Sequence, residues 1–106
     1  MNSEFVLGYC TFPDTMTAER VCTQLISEGL IACANIHAPH QAIFPWQGSI
    51  QKAPEVATWI KTSAAKKTSL KLRFQELHPY DVPCLVFLKI DDGLNEYLQW
   101  VKGLTF

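Results

Sequence analysis

The chain has 106 residues, which fits one domain because single domains cluster near about 100 to 150 residues, and we expect one domain over residues 1–106. Hydrophobic residues make up 48% and charged residues 18% of the sequence, so the composition excludes a disordered or fibrous protein. A formal net charge of -1 and the lack of an apolar run near the roughly 20 residues of a membrane span argue against nucleic-acid and membrane partners.

The first predicted strand covers residues 5–11, a short apolar run with β-branched and aromatic side chains. Asp14 is placed to cap the helix that follows. Apolar residues then recur at helical spacing, at Ala18, Val21, Cys22, Leu25 and Ile26. Gly29 supplies a residue that tolerates the left-handed backbone, and Leu30 is positioned to pack on the last turn. The helix should therefore end there.

A long hairpin is predicted next. Residues 31–46 are extended in character, but Pro39 cannot donate to a sheet and indicates a bulge or an edge position within this second strand. Gln47-Gly48 is the predicted turn. The returning strand ends with residues 55–61 and carries Pro54, so the hairpin should be irregular and should have exposed edges.

The second helix is expected to begin near Thr62 or Ser63, whose hydroxyls can cap it. It should direct three apolar side chains inward, those of Leu70, Phe74 and Leu77. His78 precedes Pro79, and a residue before proline is pushed out of helical geometry. The helix should therefore end at this histidine.

The last strand and helix complete the pattern. Residues 84–90 form an apolar run typical of a central strand that is covered on both faces. After the break at residues 91–93 a short helix should present one apolar face, made of Leu94, Tyr97, Leu98 and Val101. The predicted core includes Val21, Leu25, Val86 and Leu88.

The order of elements predicts an α+β fold, a ferredoxin-like βαββαβ sandwich with helices over one face of an antiparallel sheet and an extra C-terminal helix. Its long hairpin carries Phe44, Trp46 and Trp59, more aromatic surface than so small a domain readily covers. We therefore expect subunit packing to use these side chains, with Trp46 in an interface.

Particular strings then become recognisable over residues 5–101. They are Cys10-Thr11-Phe12-Pro13-Asp14, Leu30-Ile31-Ala32-Cys33-Ala34-Asn35-Ile36, Phe44-Pro45-Trp46-Gln47-Gly48, Ile60-Lys61-Thr62, His78-Pro79-Tyr80-Asp81-Val82-Pro83 and Tyr97-Leu98-Gln99-Trp100. In combination they resemble the CutA family of divalent-cation tolerance proteins. The resemblance implies a homotrimer of ferredoxin-like subunits, a cytoplasmic location in bacteria, and an association with copper or another divalent cation.

The metal positions that the resemblance implies fall on Cys10, Cys33 and His78. Cys84 stands where most relatives have a glutamate, so a soft sulfur replaces a hard oxygen and a carboxylate role is in doubt. Phe44 likewise stands where many relatives have tyrosine. The candidate metal ligands are thus Cys10, Cys33, His78 and Cys84, all of donor types that suit copper.

Each of these candidates also has a structural interpretation. Cys10 and Cys33 fit small buried hydrophobes in strands, and Cys22 belongs to the apolar face of its helix. His78 fits a capping partner for helix carbonyls, with Tyr80 and Asp81 placed to orient its ring. His37 and His40, on either side of Pro39, fit solvent or subunit contacts better than ligation.

Three hypotheses about function follow. The first is a trimeric cytoplasmic protein of copper tolerance that binds metal ions. The second is a non-enzymatic regulatory or scaffold trimer, similar to PII signalling proteins, which binds a small anion or a protein partner between subunits. Lys61 is a candidate residue for binding such an anion, although a lysine at such a position is more often simply solvated.

The third hypothesis is an enzyme that pairs His78 with Asp81. It has no support from a P-loop, a nucleophile elbow or a zinc-protease string, so we do not expect an enzyme. The amino terminus lacks the basic region and cleavage site of a secretory signal, and the four cysteines include no C-x-x-C pair. A reducing cytoplasm is therefore expected to keep the thiols free.

Overall fold

The computed structural model describes residues 4–106, so the first three residues, on which part of the secretory-signal argument depends, lie outside the described range. Within that range the chain forms five strands and three α-helices. Their order is β1 (Phe5–Phe12), α1 (Thr15–Ser27), β2 (Cys33–Ile36), β3 (His40–Trp46), β4 (Ser49–Ser63), α2 (Lys67–Leu77), β5 (Leu85–Lys89) and α3 (Asn95–Leu104). No helix in the described range is long and apolar enough to cross a bilayer.

The sheet is antiparallel, with strand order β2-β4-β1-β5, and β3 pairs with the outer part of β4. This order confirms the predicted ferredoxin-like α+β fold. The predicted long second strand is β2 followed by β3, with a break at residues 37–39. Because Pro39 falls within that break, its predicted disruption of the strand is confirmed.

A two-stranded arm extends from the sheet. Residues 56–63 of β4 pair with β1, whereas residues 49–55 pair only with β3. The arm turns at Gln47 and Gly48, whose φ angles of 48° and 83° match a tight two-residue hairpin turn. The chain is therefore elongated, 45 Å in its longest dimension, with a radius of gyration of 14.5 Å against about 13 Å for a compact chain of this length.

Helix α1 follows the sequence prediction closely. The Asp14 carboxylate accepts a hydrogen bond from the Thr17 N–H at 2.7 Å, which confirms the N-cap. Gly29 has a φ of 71°, and the Leu30 N–H donates to the Leu25 carbonyl at 3.0 Å. The buried residues are Ala18, Val21, Cys22 and Leu25. Ile26, which was predicted to lie on the apolar face of the helix, is instead 42% exposed at the margin of that face.

Helix α2 begins later than predicted. Thr62 and Ser63 still belong to β4, a short 3-10 helix covers Ala64–Lys66, and α2 starts at Lys67. The predicted capping role of Thr62 is wrong because its hydroxyl donates to the Leu30 carbonyl at 2.7 Å. Leu70 and Phe74 are buried as predicted. His78 ends the helix with an extended ψ of 138°, which confirms the effect of the following proline.

Strand β5 is not the central strand that the apolar run predicted. It lies at the edge of the sheet and pairs only with β1. Leu85 and Phe87 pack against the core, whereas Val86 and Leu88 are 55% and 56% exposed. The prediction that Val86 and Leu88 are core residues is therefore wrong for the single chain. The reason is that α1 and α2 cover only one face of the sheet.

Helix α3 packs against the opposite face, at the end where β1 begins. Val101 is buried there beside Phe5 and Ala32. The Tyr97 hydroxyl reaches the Cys33 thiol at 3.4 Å. Leu94, expected on the apolar face, lies ahead of the helix and is exposed. The rest of this second face is left without a covering layer.

Candidate functional site

Five residues with polar or thiol-bearing side chains lie at one end of the sheet, where β1 ends and β5 begins. We call this group the His78 cluster and define it as Thr11, Glu55, His78, Tyr80 and Cys84. Its members come from β1, β4 and the segment between α2 and β5. The cluster exists because the antiparallel register places Val56 of β4 opposite Phe12, the last residue of β1.

The His78 ring has a hydrogen-bond partner on each nitrogen. Nδ1 accepts from the Tyr80 backbone N–H at 3.1 Å, so Nε2 carries the proton and donates to the Thr11 carbonyl at 2.8 Å. The ring is stacked on Phe12 at 5.1 Å between centroids and also contacts Phe74 at 5.2 Å. A ring only 6% exposed and bonded in this way is a neutral core histidine.

Burial lowers the pKa of His78 from its ordinary 6.5. The hydrogen bond to Thr11 and the Glu55 charge oppose this shift, while Arg20 adds to it. Protonation would also add an N–H to Nδ1, which now accepts the hydrogen bond from the Tyr80 N–H. Two donors would then face each other. The neutral form is therefore the form that this arrangement stabilises.

Glu55 brings a carboxylate to the cluster from β4. Burial raises the pKa of Tyr80, and the Glu55 charge and a hydrogen bond to Glu55 raise it further. Burial and the same charge raise the pKa of the Cys84 thiol, against the effect of a hydrogen bond with the Thr11 side chain. An acidic group thus lies next to the Cys84 thiol.

Cys10 and Cys22 lie in the core beneath the helices. Cys10 is fully buried and its Sγ donates to the Thr58 carbonyl at 3.6 Å. Burial raises its pKa, and the neighbouring Cys22 and Cys84 raise it further. Burial raises the pKa of Cys22 to about 12. Both groups are therefore stable as thiols at neutral pH, and thiolate is the form that binds metal.

Cys33 lies on the other side of the sheet. It pairs with Lys61 in register, whereas Cys10 pairs with Thr58, and the alternation of side chains puts Cys10 and Cys33 on opposite faces. Burial raises the pKa of Tyr97 to about 12, and its hydrogen bond with Cys33 adds to the effect. Next to them the Lys61 ammonium donates to the Asn35 amide oxygen.

The four candidate ligands therefore do not meet within one chain. Cys84 and His78 share the cluster, Cys10 lies beneath it in the core, and Cys33 is across the sheet. Between residues 4 and 106 no group of three or more His, Cys, Asp or Glu side chains is placed to hold a metal ion. Their role as ligands remains a prediction, with donor types that fit a soft ion but no ready-made cage.

The other polar candidates have simpler surroundings. His37 and His40 are exposed beside the break between β2 and β3, as the sequence analysis favoured. Asp81 is exposed, and the partners of the His78 ring are Thr11 and the Tyr80 backbone, so the structure does not form the His78–Asp81 pair of the enzyme hypothesis. Beside the cluster an open groove of about 630 Å³ runs between α2 and residues 78–81.

The sequence analysis missed Glu55 and Tyr97. Glu55 is far from His78 along the chain, and only the register of β4 against β1 brings it to the cluster. Tyr97 was assigned to the apolar face of the last helix, but its hydroxyl contacts Cys33. No local pattern could have revealed either contact, because both depend on strand pairing and helix placement.

A second surface of interest is the part of the sheet that no helix covers. We call it the open sheet face. Its two central rows across the sheet are Leu88, Leu7, Lys61 and Cys33, then Val86, Tyr9, Trp59 and Asn35. Tyr9 and Trp59 are in edge-to-face contact at 5.0 Å. The strip is apolar and aromatic except for Lys61 and Asn35, and its members Val86 and Leu88 are more than half exposed.

Comparison with known proteins gives a consistent result. The family described as CutA1 divalent ion tolerance protein matches residues 6–103. The divalent-cation tolerance protein CutA of Pyrococcus horikoshii is 43% identical over 96 residues, which cover 91% of this chain and 93% of that protein. The CutA protein of an Escherichia coli strain is 30% identical over 102 residues, covering 96% and 91%.

Solved structures agree with these sequence relatives. The crystal structure of CutA1 from Pyrococcus horikoshii superposes with a TM-score of 0.91 at 40% identity and covers 95% of this chain and 98% of that chain. The structure described as the periplasmic divalent cation tolerance protein CutA from Archaeoglobus fulgidus gives a TM-score of 0.92 at 32% identity, covering 96% and 99%.

Proposed function

Because the chain belongs to the CutA1 divalent ion tolerance family, we propose that it acts in metal tolerance as a homotrimer that binds copper or another divalent cation. The observation that carries this proposal is the family match over almost the whole chain. The family's name supports a role in divalent-cation tolerance. The trimer and the copper ion are our proposals, and each has support in the structure.

The open sheet face supports self-association. Val86 and Leu88 leave more than half of their surface to solvent, and Leu7, Tyr9 and Trp59 beside them are only partly buried. Apolar patches of this kind on a sheet mark interaction surfaces. A copy of the chain that covers this face would bury the residues which the sequence pattern had assigned to a core.

The size of the accessible surface also supports self-association. The chain exposes 6872 Å², against roughly 6,000 Å² expected for a compact monomer of 12.0 kDa. The excess fits the projecting arm, whose exposed apolar side chains include Ile43, Trp46 and Ile50. Such an arm is poorly packed in a monomer, whereas in an assembly it can lie against a neighbouring subunit. The number of three copies follows from the family resemblance.

The donor chemistry supports copper as the ion. Thiols and an imidazole suit Cu(I), and the described residues contain no carboxylate cage of the kind that calcium or magnesium requires. Cys84 is the partly exposed thiol of the His78 cluster. Binding at His78 would require its ring to give up one of two hydrogen bonds, so we expect Cys84 to contribute more than His78.

Competition titrations with a Cu(I) chelator test this proposal. We expect Cys84→Ser to weaken Cu(I) binding at least tenfold and His78→Ala to weaken it less, because the metal must displace a hydrogen bond of the histidine. Cys33→Ser is the third variant, because Cys33 pairs with Lys61, toward the other end of the sheet from Thr11 and Cys84, and joins the same site only if a neighbouring copy supplies it. Unchanged affinity in all three variants would remove metal binding from these residues.

We also propose a cytoplasmic location, because all four cysteines are free thiols and two of them are buried in the core. The relative from Archaeoglobus fulgidus is described as periplasmic, so the family name does not fix the compartment. Fractionation of the source cells checks this, and recovery of the protein outside the cytoplasm would contradict it.

The second candidate function is a non-enzymatic regulatory or scaffold trimer that binds a small anion or a protein between subunits. The specific observation in its favour is the charged Lys61 within the apolar open sheet face. The absence of a group of three metal-binding side chains among residues 4–106 adds to its weight. Anion binding that persists without metal, together with no Cu(I) affinity, would favour this candidate over the first.

A further inference from the structure

Lys61 is the single charged side chain in the two central rows of the open sheet face. In register it lies between Leu7 of β1 and Cys33 of β2, so neither neighbour in its row has a charge. Ile60 and Thr62, on either side of it in β4, are fully buried in the opposite direction. The alternation of the strand therefore fixes the ammonium on the open face.

None of the ion pairs that the structure describes neutralises this ammonium. Among residues 4–106 the ion pairs join Arg73 to Glu28 and Glu76, and Lys102 to Glu4, and none includes Lys61. Glu55 is the one acid of β4, and six residues of extended chain place it about 20 Å away. The contact that Lys61 does make is with the neutral Asn35 amide oxygen.

The Lys61 ammonium has more N–H groups than its one contact with Asn35 uses. An ammonium has three N–H groups, of which Asn35 accepts one. Asn35 turns its oxygen to the lysine, and the amide N–H groups of the same side chain are further donors. Cys33, which pairs with Lys61, contacts the Tyr97 hydroxyl. A positive charge with extra donors and no acid suits a small anion that has several oxygen acceptors.

We propose that Lys61 and Asn35 bind a small free oxyanion of the phosphate class on the open sheet face. The inference rests on the proposed assembly, because a neighbouring copy over this face would enclose the lysine and remove its water. An enclosed charge without a partner is strongly unfavourable. An oxyanion held by Lys61 and Asn35 neutralises the charge of the ammonium and accepts hydrogen bonds from the remaining N–H groups.

Inorganic phosphate is the probe that tests this site. Calorimetric titration at constant ionic strength and without metal should show saturable binding to the parent protein. Lys61→Gln should weaken this binding about tenfold or more, since it removes the charge-assisted hydrogen bonds. Lys52→Gln is the matched control because Lys52 is an exposed lysine of the same strand, on the arm, and it should leave the affinity within about twofold of the parent.

Asn35→Asp gives an independent arm. It places a carboxylate where the amide oxygen now accepts from Lys61, so it should neutralise the ammonium and abolish phosphate binding while the assembly is retained. This variant keeps the proposal testable if Lys61→Gln folds poorly. Light scattering and far-UV circular dichroism on the same samples report the assembly and the fold separately.

The outcomes are distinct. An assembled parent that does not bind phosphate, or an Asn35→Asp variant that binds it as tightly as the parent, would overturn the anion site and leave the trimer standing. If Lys61→Gln weakened the assembly while the parent bound no phosphate, a carboxylate of a neighbouring copy would be the partner, and the free-anion proposal would be wrong. A monomeric parent would overturn both proposals.

Discussion

At the scale of single residues, His78 shows how the surroundings decide the chemistry of a side chain. Its ring is the most recognisable polar group of the chain, yet its two nitrogens join the end of α2 to the Thr11 carbonyl and to the Tyr80 backbone. The hydrogen bonds align the segment after α2 on the end of β1. The histidine therefore has a structural role in the chain.

We predict that the free energy of unfolding depends on pH through this residue. Burial lowers the pKa of His78 in the folded chain below 6.5, so the unfolded chain binds more protons between the two values. Stability should therefore be complete above about pH 6.5 and should fall as the pH drops toward the lowered value. Urea unfolding between pH 5 and 8, with a metal chelator present and the protein concentration fixed, measures this slope.

The variant that isolates this effect is His78→Gln, which retains a hydrogen-bonding side chain but cannot titrate. It should be less stable at pH 7 and should lose part of the slope below pH 6.5. His37→Gln is its control, because His37 is exposed in the break between β2 and β3. If the parent and His78→Gln had the same pH slope, the histidine would not be buried neutral as the structure places it.

At the scale of elements, α1 and β5 present similar apolar residues to different surroundings. Leu25 of α1 is fully buried, whereas Leu88 of β5 is 56% exposed on the open sheet face. We predict that Leu25→Ala lowers subunit stability by about 2 to 5 kcal/mol, through lost burial and a cavity. Leu88→Ala should leave subunit secondary structure intact and act on the assembly instead.

Circular dichroism and light scattering on the two variants separate these effects. The pair is matched because both substitutions remove the same atoms. A Leu88→Ala protein that lost as much stability as Leu25→Ala and kept its assembled mass would show that β5 is covered within its own subunit. The open sheet face would then not be the surface on which copies meet.

At the scale of the whole molecule, we predict that thermal unfolding depends on protein concentration. For a trimer, a tenfold dilution changes the unfolding free energy by two RT ln 10 per trimer, against an unfolding entropy of about 0.7 kcal/mol/K for three chains, so Tm should fall by about 4 °C. A reversible transition followed over two decades of concentration measures it. A Tm that did not change would contradict the coupling of folding to assembly.

Trp46 gives the corresponding variant. It is 61% exposed near the tip of the arm, about where the sequence analysis expected an interface residue. Trp46→Ala should weaken assembly while subunit secondary structure is retained, because large aromatics at interfaces contribute much of the binding energy. If this variant kept a mass of about 36 kDa at nanomolar concentration, Trp46 would be a surface residue rather than an anchor.

The sequence alone was enough to predict the features of the chain that depend only on neighbouring residues. The Asp14 cap, the Gly29 end of α1, the Pro39 break and the turn at Gln47-Gly48 each depend on a few neighbouring residues, and all are present. The order of these elements was enough to predict the ferredoxin-like sheet. The strings shared with the CutA family were enough to predict the family, because they span nearly the whole chain.

The tertiary structure decided which face of each strand is covered and which distant residues meet. An apolar run such as residues 84–90 has the same pattern whether a helix or another copy of the chain covers it, so the sequence could not show that β5 is an edge strand. Nor could it show that Cys10 and Cys33 lie on opposite faces, that Glu55 joins His78, or that Lys61 lacks an acid within the described chain. These relations depend on strand register and helix placement, which join residues far apart in sequence and leave no local pattern.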